Sequence, residues 1–248
     1  MALKTGNAAA VAPNAAGVAP PGIDEDACAK LDKKNKEERK EVVDTLKDES
    51  SLNQQEQTTL NKAEGTGMTI SSALSQVPGA EGIFSASSSG CAQACNPNGL
   101  VDGGTSAQKM GSNAETRSDP AKREAAREEA GVLCDKSHQH PGGGKGAHAE
   151  AKICNHMSGL PGSAMQGGSM LLNIDWRFNR VGAGAKQSGM PCAACHAMLC
   201  HAQKECDIQI FICDKNNQPQ PLSTGDCADE DSYEDLSRRV DGNYPPGR

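Results

Sequence analysis

The sequence predicts an α/β sandwich at the C-terminal end of the chain, preceded by a loosely packed, mostly helical or disordered N-terminal region. Three observations carry this. Helical and strand patterns alternate between His148 and Asp214, the order of a crossover between parallel strands. Most of the one Trp, two Tyr and three Phe lie in the C-terminal third. Gly, Ala and Ser dominate the first 120 or so residues, and 36% hydrophobic and 2% aromatic content is lean for a core spanning all 248 residues. The boundary falls near 115/116: residues 1–115 read as a delivery or linker region with polar helices, and 116–248 as the catalytic domain.

The elements follow in order. Residues 1–24 are Ala/Pro-rich. Asn7, Pro13, Asn14 and Pro20 interrupt any apolar run, so the stretch reads as a flexible leader and not a Sec signal peptide. Residues 25–49 are rich in helix formers. Their apolar positions (Cys28, Leu31, Val42, Val43, Leu46) are sparse, which predicts a helix that packs weakly or docks a partner. A second polar helix is expected over 50–63. Residues 64–118 give no period and read as a linker or as small helices held against a carrier. "SDPAKREAAREEAGVL" (118–133) predicts a helix capped by Ser118 or Asp119, with Pro120 at its first position. Ahead of His148 only "GVLCDKSH" (131–138) offers strand character. Gly142 to Gly146 form a loop, and a helix begins near His148. "SMLLNIDWRF" (169–178) predicts a strand, followed by a Gly-rich loop over 182–190. A helix starts at Pro191, a buried strand covers 207–214, and an acidic tail carries a helix over 229–240.

Net charge is −7, from 25 basic and 32 acidic residues. No basic stripe is present, which argues against a large footprint on duplex nucleic acid. A single nucleotide or short single strand entering a pocket is still compatible. No window holds 18 consecutive apolar residues, so no membrane span is expected. The eleven cysteines are odd in number and unevenly spread, a poor disulfide framework. The stretch 134–213 holds seven of them and all six histidines. Reduced thiols are expected, with a subset ligating metal.

Two motifs carry chemistry. His148-Ala149-Glu150 opens one predicted helix, and Pro191-Cys192-Ala193-Ala194-Cys195 opens another. A catalytic zinc takes three protein ligands and keeps one position open. His148, Cys192 and Cys195 supply one nitrogen and two sulfurs. Cysteines at i and i+3 share a helix side, and a helix N-terminus favours thiolate. Glu150, two residues beyond His148, is placed to handle the proton of a metal-activated water in both directions.

"HAE" followed by "PCAAC" resembles the cytidine-deaminase-like superfamily, whose signature is H-x-E…P-C-x-x-C. The resemblance covers roughly 132–222. It implies a cytidine-deaminase-like α/β/α sandwich, Zn2+ held by His148, Cys192 and Cys195, and Glu150 as the catalytic proton shuttle. The implied activity is zinc-dependent hydrolytic deamination of cytosine or adenine, in nucleic acid or nucleotide. The Ala/Gly/Ser-rich region before a C-terminal catalytic unit is similar to bacterial polymorphic toxins. That likeness implies a secreted effector that acts in a target-cell cytoplasm, with a secretion-system carrier engaged through the N-terminal region and a cognate immunity protein. Two other readings stay open: an intracellular nucleoside or tRNA deaminase, and a non-enzymatic zinc-binding interaction module. The 40 residues between Glu150 and Pro191 leave the substrate open.

Competing assignments of the same residues are weaker. Cys192-x-x-Cys195-His196 matches a c-type haem attachment site, but haem gives His148 and Glu150 no task. Cys91, Cys95, Cys134 and His138 would make a second, structural metal site. Cys154, Cys200, Cys206 and Cys213 read as small core residues, and His156 and His201 as surface or supporting histidines. Trp176 and Phe178 either pack the core or line the pocket and stack on a base.

Overall fold

The computed structural model describes residues 23–102, 132–134, 136–137, 148–180 and 184–242. Its elements are α1 (Ala27–Asp48), α2 (Gln54–Glu64), β1 (Thr69–Val77), β2 (Ala80–Ser87), α3 (Ala92–Cys95), β3 (Val132–Leu133), β4 (Lys136–Ser137), α4 (Ala149–Ser158), β5 (Ser169–Arg180), β6 (Gly184–Ser188), α5 (Ala193–Glu205), β7 (Gln209–Cys213), β8 (Pro219–Pro221), a 3-10 turn (Gly225–Cys227) and α6 (Glu230–Asp241).

The fold is mixed α/β. The main sheet runs β2-β1-β5-β7-β8, with β6 paired to β5. β5 and β7 are parallel and α5 crosses between them, as the alternating pattern predicts. The pairs β1–β2, β1–β5, β5–β6 and β7–β8 are antiparallel.

Side chains alternate between faces along a strand, and that period builds three layers. Met170 and Leu172 of β5 and Ile210 and Ile212 of β7 join Ile153, Met157, Met198 and Leu199 in one core. This is the side of α4 and α5. Leu171, Phe211 and Cys213 meet Ala27, Cys28 and Leu31 of α1 on the opposite side.

Four expectations are corrected. The first is the boundary at 115/116 with a loose region before it. β1 lies between β2 and β5 in the main sheet, so 69–87 is integral to the layer that carries 169–213. The sequence hides this hairpin because "TISSALSQV" and "AEGIFSAS" are built from Ser and Ala. The Pro78-Gly79 turn, with Gly79 at φ 75°, has the signature of a type II turn. A Cβ at Gly79 would meet the Gly162 carbonyl oxygen at 2.4 Å. Second, "GVLCDKSH" supplies β3 and β4, which among the described residues pair only with each other. Third, the Gly-rich loop over 182–190 contains β6. The helix expected over 118–133 lies largely outside the described residues.

Fourth, eight cysteines pair as disulfides: Cys28–Cys213, Cys91–Cys95, Cys134–Cys206 and Cys200–Cys227. Cys154, Cys192 and Cys195 remain as thiols. The odd count reflects three cysteines kept out of the framework.

α1 also packs more firmly than its sparse apolar residues predict. Its buried face includes Asn35, Glu38 and Arg39. Asn35 Nδ2 donates to the Asn173 carbonyl and Oδ1 at 3.0 and 2.8 Å, and Asn35 Oδ1 accepts from Ser72 Oγ at 2.7 Å. Arg39 pairs with Asp175 at 2.8 Å and donates to the carbonyls of Ala63, Met68 and Asp175. Buried polar groups are tolerated when satisfied in this way.

Candidate metal centre

Two helix N-termini meet beside β5. His148 is the N-cap of α4 and Cys192 the N-cap of α5, both in extended backbone conformation and neither making a side-chain cap bond. Each N-cap side chain turns toward the other helix. Cys195 lies one turn along from Cys192 on the same side.

The result is a cluster of one nitrogen and two sulfurs. Cys192 Sγ is 3.3 Å and Cys195 Sγ 3.5 Å from His148 Nδ1, and the three donor atoms lie within 4.8 Å of one another. The two thiols are shifted in opposite directions. Cys192 is lowered to about 4, first by its hydrogen bond from Cys195 and then by His148. Cys195 is raised well above its usual value by the same bond and by burial.

Glu150, in the first turn of α4, is 3% exposed. Burial pushes its carboxyl upward; His148 opposes the shift and Cys192 adds to it. The carboxyl borders a cavity of about 140 Å³, together with His148, Cys192, Gly67, Thr69, Ser88 and Trp176. Trp176 forms one wall, with Phe178 against it at 5.3 Å between ring centroids. Thr69 N donates to Ser88 Oγ at 2.9 Å, and Gly67 N to the Arg177 carbonyl at 2.8 Å. These bonds fix the rim contributed by the β1–β2 hairpin. A larger cavity of about 370 Å³, lined by Asp32, Lys36, Lys215 and Asp241 among others, contains none of the expected site residues.

All four expected site residues, His148, Glu150, Cys192 and Cys195, thus converge, and Trp176 reaches the same cavity. The weaker alternative of a second site from Cys91, Cys95, Cys134 and His138 is not formed among the described residues. Cys91 and Cys95 bond to each other, Cys134 bonds to Cys206, and His138 lies outside the described residues. His196, the ligand a haem would require, packs edge-on against Tyr233 at 4.9 Å and lies 3.6 Å from Cys200 Sγ through Nε2. Burial lowers His196, and the carboxylate and main chain of Asp226 oppose that shift.

Several supporting residues escape a sequence reading. Tyr233 Oη donates to the Pro191 carbonyl at 2.7 Å. Asp241 accepts from Gly189 N at 2.9 Å and from Ser188 Oγ. α6 therefore holds the segment that delivers Cys192. Lys152, also on α4, is buried and donates to the Ser89 carbonyl at 3.2 Å; burial pulls it down to about 8. The only local hint is that "HAEAK" puts a lysine one residue beyond an otherwise apolar step. The rest depends on tertiary approach.

No helix among the described residues is long and apolar enough to cross a membrane. No family model, curated protein or solved structure matches the chain.

Proposed function

We propose that the chain is a zinc-dependent hydrolytic deaminase of a nucleobase, with a cytidine-deaminase-like α/β/α arrangement. The observation that carries this is the burial of the Glu150 carboxyl in the same small cavity as His148 and Cys192. A structural zinc module would have no use for it.

The donor set fits zinc. Tetrahedral bonds of ~2.0–2.1 Å to nitrogen and ~2.3 Å to sulfur imply a nitrogen-to-sulfur edge of about 3.5 Å, and the two edges here are 3.3 and 3.5 Å. Three protein donors leave a fourth position, the pattern of a catalytic site. When bound by His148, Cys192 and Cys195, zinc supplies the Lewis acidity that activates a water near neutral pH.

The chain's own residues then divide the work. Glu150 accepts a proton on its carboxylate and delivers it to the ring nitrogen, then passes a second to the departing amine. Water oxygen replaces the exocyclic nitrogen, ammonia leaves, and Glu150 returns to its starting state. Burial raises the affinity of the Glu150 carboxylate for a proton. Trp176 offers a face for stacking, and the cavity suits a single base taken out of its stack. The order β2-β1-β5-β7-β8, with a ligand-bearing helix on each side of β5 in sequence, supports the same reading.

On this reading the chain is an exported effector whose substrate lies in the cytoplasm of a target cell, restrained by a cognate immunity protein. Four disulfides support passage through an oxidising compartment.

The test uses oxidised, zinc-loaded chain and its Glu150→Gln variant. Ammonia release is measured from cytosine and adenine as nucleoside, nucleotide and single-stranded oligonucleotide. In parallel, DNA and RNA from cells producing each form are sequenced. Excess C-to-T or A-to-G changes over the variant identify the base and the polymer. Equal results for the two proteins on every substrate sink the proposal.

A further inference from the structure

A second set of donors lies one turn down α5. His196 and Cys200 are spaced i, i+4, so they share a helix side. Cys227 reaches them from the 3-10 turn over 225–227. The ring nitrogens of His196 and the sulfurs of Cys200 and Cys227 include one set of three atoms within 4.8 Å of one another. His196 Nε2 is 3.6 Å from Cys200 Sγ, close to the edge of about 3.5 Å that tetrahedral zinc sets between nitrogen and sulfur. The imidazole is 7% exposed, held edge-on by Tyr233 and hydrogen-bonded to the Asp226 main chain.

In the oxidised chain the two sulfurs are bonded to each other, and a disulfide is a poor ligand compared with two thiolates. We infer that His196, Cys200 and Cys227 form a second site for a thiophilic divalent ion, zinc being the natural candidate, closed by the disulfide and opened by its reduction.

The chemistry balances. A dithiol, or a phosphine with one water, breaks the Cys200–Cys227 bond by supplying two electrons and two protons. The phosphine becomes its oxide. The incoming ion displaces both thiol protons and takes the imidazole as its third ligand. Either state ties α5 to the 3-10 turn, by a covalent bond when oxidised and by a coordinated ion when reduced. The helix carrying Cys192 and Cys195 thus keeps its anchor on both sides of a change in redox compartment. This inference does not rest on the deaminase reading, since it concerns only metal content.

The experiment measures zinc per chain by mass spectrometry on full-length protein, before and after tris(2-carboxyethyl)phosphine, with unbound ion removed. The wild type is expected to rise by one ion on reduction. His196→Ala and the Cys200→Ser/Cys227→Ser pair are expected to stay one ion below reduced wild type. Because the other disulfides also open, it is this difference that decides. Cys192→Ser removes an ion from the first site in both states and is expected to keep the increment on reduction, so failure at one centre is distinguishable from failure at the other. His196→Gln, which retains the disulfide, guards against misfolding: its oxidised form melts with wild type, and its reduced form lacks the increment. Cobalt(II) gives a second readout, with a thiolate charge-transfer band in reduced Cys192→Ser that vanishes when His196→Ala is added. Equal metal content in reduced wild type and the His196 variants overturns the inference, as does an unchanged cobalt spectrum.

Discussion

Glu150 and Lys152 sit two residues apart on α4, both buried, and burial opposes the charged form of each. Glu150→Gln keeps the shape and removes the proton acceptor. On the proposed function, deamination falls by at least ~10²-fold, the usual scale for a positioned acid/base group, while zinc per chain is unchanged. His148→Ala loses the ion itself, read by the same metal analysis. Lys152 gives a sign that can be checked. Its folded value is about 8 against about 10.4 when unfolded. The unfolded chain therefore binds more protons between those values, and stability rises with pH through that window. From pH 7 to 9.5 the gain is about 2 kcal/mol. Lys152→Met lacks that rise, and urea midpoints at a series of pH values measure it; parallel curves for the two proteins refute the assignment. The cluster of His148, Cys192 and Cys195 and the neighbouring Glu150 were legible because both motifs are local, with short fixed spacings set by helix geometry. Lys152, Ser88 and Tyr233 were not, because their roles arise only where separate elements meet.

α1 is the element whose packing the sequence conceals most. Hydrophobic periodicity counts apolar residues, and this helix buries Asn35, Glu38 and Arg39 along the same stripe as Leu31, Val42 and Leu46. Arg39 lies 4% and Asp175 2% exposed. Removing Arg39 leaves the buried Asp175 with only the part-exposed Arg177, at 3.3 Å, so Arg39→Met is expected to destabilise the fold in denaturant unfolding by somewhat less than the about 3–5 kcal/mol of a fully unpaired buried charge. Pairing it with Asp175→Asn recovers part of the loss. If Arg39→Met alone is neutral, the pair does not anchor the helix. The effect extends to the site, because Arg39 holds the Met68 and Asp175 carbonyls, and the neighbours Gly67, Thr69 and Trp176 line the cavity. α6 acts similarly from the other side. Tyr233→Phe removes one hydrogen bond to the Pro191 carbonyl, worth about 0.5–1.5 kcal/mol, and is expected to weaken zinc retention against a chelator. The hairpin of β1 and β2 was illegible for a different reason. Its inward positions are small, which lets α4 approach but removes the β-branched signal of a strand.

At the scale of the whole molecule, the crossover order, both site helices and the absence of an 18-residue apolar run were readable from pattern. The disulfide framework was not, because pairing depends on which cysteines the fold brings together; Cys28 and Cys213 are 185 positions apart. Their bond joins α1 to β7 and closes the longest loop among the four. Replacing both with serine is expected to cost about 2–5 kcal/mol, seen as a lower urea midpoint under oxidising conditions and no difference under reducing ones. The same bond has a topological consequence. It closes residues 28–213 into a covalent ring. An opening wide enough for one extended strand cannot pass Cys28 or Cys213 while they are bonded, since the next step would pull two strands abreast. Passage in thread form requires electrons before force, whereas passage as an intact body requires neither.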